Sequence, residues 1–250
     1  MKKLKQIIVS EIKDYKILLR NAPTVTMIFF TISVVAMNLL ANKELLNVKY
    51  LALDCGFILS WISFLCMDML TKRFGAKAAI KLSIFTVGMN LVCAGIFFVV
   101  SKIGNNWGEF YTFENEIANQ ALNNTLGGTW YVLVGSMTAF VVSAVVNALI
   151  NESIGKLIKK KSFFEYTMRS YISTMVGQFI DNLVFATMIS KVFFGWTWKQ
   201  VIFCSIAGAV AELLSEVIFS PVGYKACKKW EEQGIGQEYI NFSKNSEVMQ

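Results

Sequence analysis

Residues 24–41 read TVTMIFFTISVVAMNLLA, eighteen in a row without a charged side chain. A helix that crosses a bilayer needs about 20 mostly apolar residues, and this run is of that kind. It is too long for the apolar region of a cleaved leader. No small-residue cleavage site leads from it into a soluble chain, so a retained span is expected. Five further segments behave alike: Leu51–Leu70, interrupted by Asp54 and Asp68; Ala78–Val100, with Lys81 near its start; Trp130–Ile150; Tyr171–Phe194; and Val201–Phe219. The sequence therefore predicts an all-α integral membrane protein, six transmembrane helices in one bundle.

Composition points the same way. Of 250 residues, 55% are hydrophobic and 16% charged, with a mean hydropathy of +0.50. A soluble domain has about 45–50% apolar and about 25% charged residues. Disorder is excluded, because a chain this apolar cannot stay solvated. There is no histidine, which removes His-based acid–base chemistry and His-ligated metal sites. The cysteines Cys55, Cys66, Cys93, Cys204 and Cys227 form no C-x-x-C pair, and most behave as small buried hydrophobes. No phosphate-binding loop of the G-x-x-x-x-G-K-[ST] type is present. The chain is expected to need no cofactor and to be no enzyme.

Basic residues give the orientation. Eighteen Lys and Arg fall in residues 1–23, 71–77, 151–170 and from Ser220 on, against four in the segments at the other ends of the spans. Cytoplasmic loops carry such an excess, so both termini are expected inside the cytoplasmic membrane. The net charge of +7 is then basic loops rather than a nucleic-acid surface. The expected division is a basic segment 1–23, a six-helix transmembrane domain 24–225 and a polar cytoplasmic tail 226–250 that frays. Within the acidic segment 101–129, Glu116–Leu126 is a candidate interfacial helix. Lipid is the expected surrounding, and a homodimer suits so small a bundle.

A charge at the bilayer centre costs roughly 2.5–3.5 kcal/mol on insertion scales, so it usually faces the bundle interior. Topology sets Gln178, Asp181 and Asn182 near the middle of the fifth span. Glu212 is near the middle of the sixth, with Glu216 deeper. Asn90 is central in the third, Asn38 in the outer part of the first, and Asn147 near the inner end of the fourth. Gln178, Asp181 and Phe185 share a helix face by their spacing, as do Glu212, Ser215 and Glu216. Asp54, Trp61 and Asp68 lie seven apart along one side of the second span. Together they suggest a central pocket for a flat, hydrogen-bonding ligand, its edge read by carboxylates and amides and its face stacked on Trp or Phe, as bases are read outside duplexes.

Each residue also has a plainer reading. Asp68 suits an ion pair with Lys72 or Arg73, and Asp54 a helix cap. Asn38, Asn90 and Asn147 suit hydrogen bonds between helices. Glu212 and Glu216 suit partners in Lys81 or Lys191.

The stretch RSYISTMVGQFIDNLVF (169–185) resembles the fifth-span signature of the vitamin uptake transporter family, and more narrowly that of bacterial queuosine precursor transporters. There an Arg, a Ser-Thr pair, a Gly-Gln pair, an Asp and a Phe recur with this spacing. Asp68-ML-Thr71-KR-Phe74-Gly75 resembles the family's Asp-to-Gly motif. Asn38, the series Ser136, Ala139 and Ser143, and Pro221 also fit, so the resemblance covers about residues 24–225. Lys72 stands where many relatives carry Glu, and Asn147 where an acid is frequent.

The resemblance implies import of 7-deazaguanine bases (7-cyano-7-deazaguanine, 7-aminomethyl-7-deazaguanine or queuine) for salvage into tRNA queuosine. Asp181 or Glu212 would then accept the N1–H and 2-amino donors, and Gln178 would meet the 6-oxo group. Phe185 or Trp61 would stack on the ring. Asn38, Asn90 and Asn182 would complete the site, while Asp68, Glu216 and Arg169 would serve coupling or gating. A substrate-binding subunit that borrows separate ATPase subunits, and a membrane enzyme or assembly factor, are the alternatives from other classes.

Overall fold

The computed structural model describes residues 2–49, 51–104, 107–108, 116–128, 130–157 and 162–248. These are mostly helical, with one hairpin and short connecting turns. The helices are α1 (Lys2–Asn21), α2 (Thr24–Leu40), α3 (Phe57–Phe74), α4 (Ala76–Ser101), α5 (Glu116–Asn123), α6 (Trp130–Leu157), α7 (Phe163–Phe185), α8 (Lys191–Phe194), α9 (Trp198–Glu232) and α10 (Gln237–Val248). β1 (Glu44–Val48) pairs antiparallel with β2 (Leu51–Asp54), setting Leu46 against Leu53 and Val48 against Leu51.

Among the described residues, four helical stretches, α4, α6, α7 with the π-turn Ala186–Ser190, and α9, are long and apolar enough to cross a bilayer. α1 and α2 together would make a fifth. α2 and α3 have 17 and 18 residues, the short end of the usual range of about 17–25. Exposed apolar side chains line the outer faces, among them Ile28, Phe29 and Ile32 on α2 and Leu214, Ile218 and Val222 on α9. An apolar belt of this kind suits lipid and not water, and the protein is a multi-pass membrane protein.

Three boundaries differ from expectation. The second segment does not begin as helix at Leu51. Residues 51–54 satisfy their backbone groups on β1, and α3 starts after Gly56, its N-cap, which has no side-chain cap bond. Asp54 is therefore neither on the helix nor its cap, and the stripe with Trp61 and Asp68 loses its first member. The sixth helix does not stop at Phe219 but runs through Pro221 to Glu232. Proline removes one backbone donor, and the carbonyl it strands, that of Val217, accepts from the Ser220 hydroxyl at 3.2 Å. The tail does not fray at Trp230: residues 237–248 form α10.

α10 docks by burying Tyr239, whose ring meets Phe74. Glu238 of α10 bonds Arg20 and Asn21 of α1. The corner between α1 and α2 turns 103° at Pro23, whose fixed φ of −63° suits a helix start. Lys81 of α4 ties α1 down through Glu11 and Asp14. Gly75, with φ of 87°, makes the left-handed turn between α3 and α4 that a side chain would resist.

The apolar core lies between α2, α3, α4 and α6, where Phe30, Val34, Met67, Leu70, Leu82 and Phe140 are buried. The opposite half of the bundle, α3, α6, α7 and α9, has a polar interior.

Candidate binding site

That interior starts from one repeat. α6 carries Ser143, Asn147, Asn151 and Gly155 at four-residue spacing, and α7 carries Arg169, Ser173, Gly177 and Asp181 likewise. Residues four apart share a helix face, and the two stripes meet turn by turn. Ser143 donates to Asp181 at 2.8 Å, and Asn151 to Ser173 at 3.2 Å. Gly177 lets Asn147 and Phe64 close to 3.0 Å of where a Cβ would stand. Gly155 leaves the space that the Arg169 guanidinium fills. The stripe on α6 was the missed signal: a four-residue repeat of small and amide side chains within an apolar helix.

α3 and α9 add carboxylates. Asp68 of α3 is fully buried and accepts from Asn147 Nδ2 at 2.8 Å, Thr174 Oγ1 at 3.2 Å, Ser173 Oγ at 3.4 Å and Ser170 Oγ. It is therefore held by hydroxyls and an amide rather than by the expected ion pair. Lys72 goes to Glu165 at 2.9 Å, and Arg73 donates to the Ile235 carbonyl at 2.7 Å. Glu216 of α9, also fully buried, meets the same Ser170 hydroxyl. Neither lysine proposed for the glutamates reaches them: Lys81 serves Glu11 and Asp14, and Lys191 lies 5.1 Å over the Trp198 ring.

α7 and α9 run antiparallel, with Asn182 against Gly208 and Tyr166 against Gly223. One helical turn from Asn182 on α7 is Gln178, and one turn from Gly208 on α9 is Glu212, so this register sets the two level. Glu212 accepts from Ser60 of α3 at 2.7 Å. Gln178 is 1% exposed, yet neither its Nε2 nor its Oε1 has a hydrogen-bond partner among the described residues. The Asn182 Nδ2 is likewise unpaired. A buried polar group left unpaired costs about 1–3 kcal/mol. The Gln178 amide, level with Glu212, thus offers a donor and an acceptor together.

One end of this interior is closed by charge. Glu165 takes Lys72 on one oxygen at 2.9 Å and Arg169 on the other at 3.0 Å, and Arg169 Nε donates to Asn151 at 2.7 Å. Lys72 also sits 4.9 Å from the Tyr166 ring centroid. Arg169 therefore belongs to a lock that joins α3, α6 and α7. Glu165 and Asn151 were not singled out by their sequence.

The remaining candidates separate. Trp61 stacks on Phe219 at 4.0 Å, so one ring face is already covered. Phe185 ends α7 where the π-turn begins, and π-turns inside helices are frequent at functional sites. Asn38 donates to its own Val34 carbonyl and accepts from Ser136, which ties α2 to α6. Asn90 lines a small crevice with Val35, Leu39, Asn42, Ala94 and Phe97, between α2 and α4. The side chain of Asp54 lies outside the described residues.

Residues 54–226 match the family model described as "Putative vitamin uptake transporter". The chain belongs to the vitamin uptake transporter family. The matched range takes in α3, α6, α7 and most of α9, and hence the whole polar interior of the transporter. No curated protein and no solved structure matches it.

Proposed function

We propose that this transporter imports 7-deazaguanine bases, the precursors of queuosine, across the cytoplasmic membrane. In this reading six helices cross the bilayer, both termini are cytoplasmic, and the substrate binds between α3, α6, α7 and α9. The observation that carries it is the Gln178 amide, buried with both atoms unpaired and level with Glu212. A primary amide complements a ring lactam, donating to the oxo group and accepting from the ring N–H. The 2-amino group of the base supplies further donors, which Asp181 or Glu212 can accept. A purine-like edge uses all of these groups at once, and a heterocycle without a lactam does not.

The test is uptake in a host that cannot make the 7-deazaguanine precursor but keeps the later enzymes. With this chain alone expressed and each base fed at low concentration, queuosine should return to tRNA for at least one base; for queuine the host also needs an enzyme that uses it. No return, with the protein present in the membrane, would contradict the reading. Return only when ATPase subunits are co-expressed would favour the substrate-binding subunit of an energy-coupling system instead.

A further inference from the structure

The Ser170 hydroxyl has one hydrogen and touches two carboxylates, Asp68 and Glu216. The two carboxyl groups also lie within hydrogen-bonding reach of each other. One hydrogen cannot serve both, and two ionised carboxylates this close repel strongly. The donors are unevenly shared. Asp68 takes bonds from Asn147, Ser173 and Thr174 besides Ser170. Glu216 meets Ser170 at Oε1 with Thr174 also in reach, and its Oε2 has no hydrogen-bond partner among the described residues.

A proton on Glu216, given to Asp68, completes the arrangement and leaves the pair with a single negative charge. Asn147 spends its one observed hydrogen bond on Asp68 and none on Glu216. Its Nδ2 is anchored on Asp68, while its Oδ1, fully buried, has no donor among the described residues.

Neighbouring charges do not replace that proton. Lys72 from α3 and Arg169 from α7 are both taken by Glu165. The other titratable groups near the pair are the Tyr166 phenol on α7 and the thiols of Cys66 on α3 and Cys227 on α9, none of them cationic. One turn away along α9, Glu212 is held by Ser60, and across the interior Asp181 is held by Ser143. The Tyr166 hydroxyl, buried against Gly223 and without a partner among the described residues, stands between the pair and the basic end.

We infer that Asp68 and Glu216 share one exchangeable proton at Ser170, and that this proton is the ion coupled to import. The coupling half rests on the import reading above; the shared proton does not. In transport the pair is protonated while open to the outside and releases the proton to the cytoplasm with the substrate. For an uncharged base and one proton per cycle, an exterior one pH unit more acidic supports up to about tenfold accumulation, because one unit is 1.36 kcal/mol.

The experiment uses vesicles containing only this chain, with labelled 7-cyano-7-deazaguanine and an internal pH dye. Wild type should exchange labelled for unlabelled base without a gradient, accumulate base when the exterior is acid, and admit protons as it does so. Glu216→Gln should keep the exchange and lose both accumulation and the dye signal. Accumulation that survives in Glu216→Gln, or that follows a sodium gradient instead, would overturn the coupling. Absence of exchange in wild type would count against the import reading itself. The proton is then judged on the purified chain by infrared spectroscopy. A protonated-carboxyl stretch should be present in wild type, shifted in Ser170→Ala and lost in Glu216→Gln and Asp68→Asn. Its absence from wild type at neutral pH would overturn the shared proton.

Discussion

Glu165 and Gln178 lie on the same helix, both buried, and differ in what surrounds them. Both oxygens of Glu165 hold a cation, and Arg169 passes the contact on to Asn151. Gln178, a few turns along α7, has neither amide atom paired among the described residues. A satisfied polar network fixes helices to one another, whereas an unsatisfied one costs free energy unless something else binds there. The lock thus belongs to the architecture, and the proposed function assigns the unpaired amide to the substrate. Mutations in the two layers should act on different quantities.

The largest expected effect is on the lock. Glu165→Ala leaves Lys72 and Arg169 buried without their carboxylate. Breaking one partner of a buried pair costs about 3–5 kcal/mol, so the Tm of the purified protein should fall sharply. An unchanged Tm would mean that the lock does not hold α3 to α7. Next is Asp181→Asn, which keeps an acceptor for Ser143 but removes the charge. Hydrogen bonds to charged groups contribute about 1.5–3 kcal/mol each, so uptake should fall at least about tenfold with membrane levels kept. Normal uptake would remove Asp181 from the site.

Gln178→Leu sharpens the contrast. It discards an amide that has no internal partner, so Tm should hold or rise. Two neutral hydrogen bonds are worth about 1–3 kcal/mol together, so base affinity should weaken by about 5- to 150-fold. A loss of Tm without a loss of affinity would make Gln178 structural.

The smallest effect concerns the α1–α10 contact. Hydrogen bonding from Asn21, with Arg20 nearby, lowers the Glu238 carboxyl below its usual 4.5. A lowered value means that its stabilisation is whole above pH 4.5 and is lost as pH falls through the lower folded value. Hydrogen exchange in α10 should therefore quicken below about pH 4.5. Exchange that does not change with acid would mean that Glu238 does not hold α10 to α1.

The apolar runs made α4, α6 and α9 legible, because length and hydropathy alone decide such helices. The motif in residues 169–185 likewise pointed to Gln178 and Asp181. Two kinds of feature stayed hidden. One is local exceptions: Leu51–Asp54 looked like the start of a helix because its strand partner, Glu44–Val48, is visible only in three dimensions. The apolar run ends at Phe219, and the continuation of α9 through Pro221 is compensated by a Ser220 bond that is a matter of side-chain rotamer. The other is partner choice. Lys72 and Arg73 are nearest to Asp68 in sequence, but Asn147, Ser170 and Thr174, from two other helices, are what it meets. Sequence distance does not rank such contacts.

The most direct test of the central claim is binding of a 7-deazaguanine base to the purified chain, measured as a shift in Tm for wild type and for Gln178→Leu. The base should raise the Tm of wild type and leave that of Gln178→Leu nearly unmoved, while without ligand the variant is at least as stable as wild type. Equal shifts in both, or none in wild type, would contradict it.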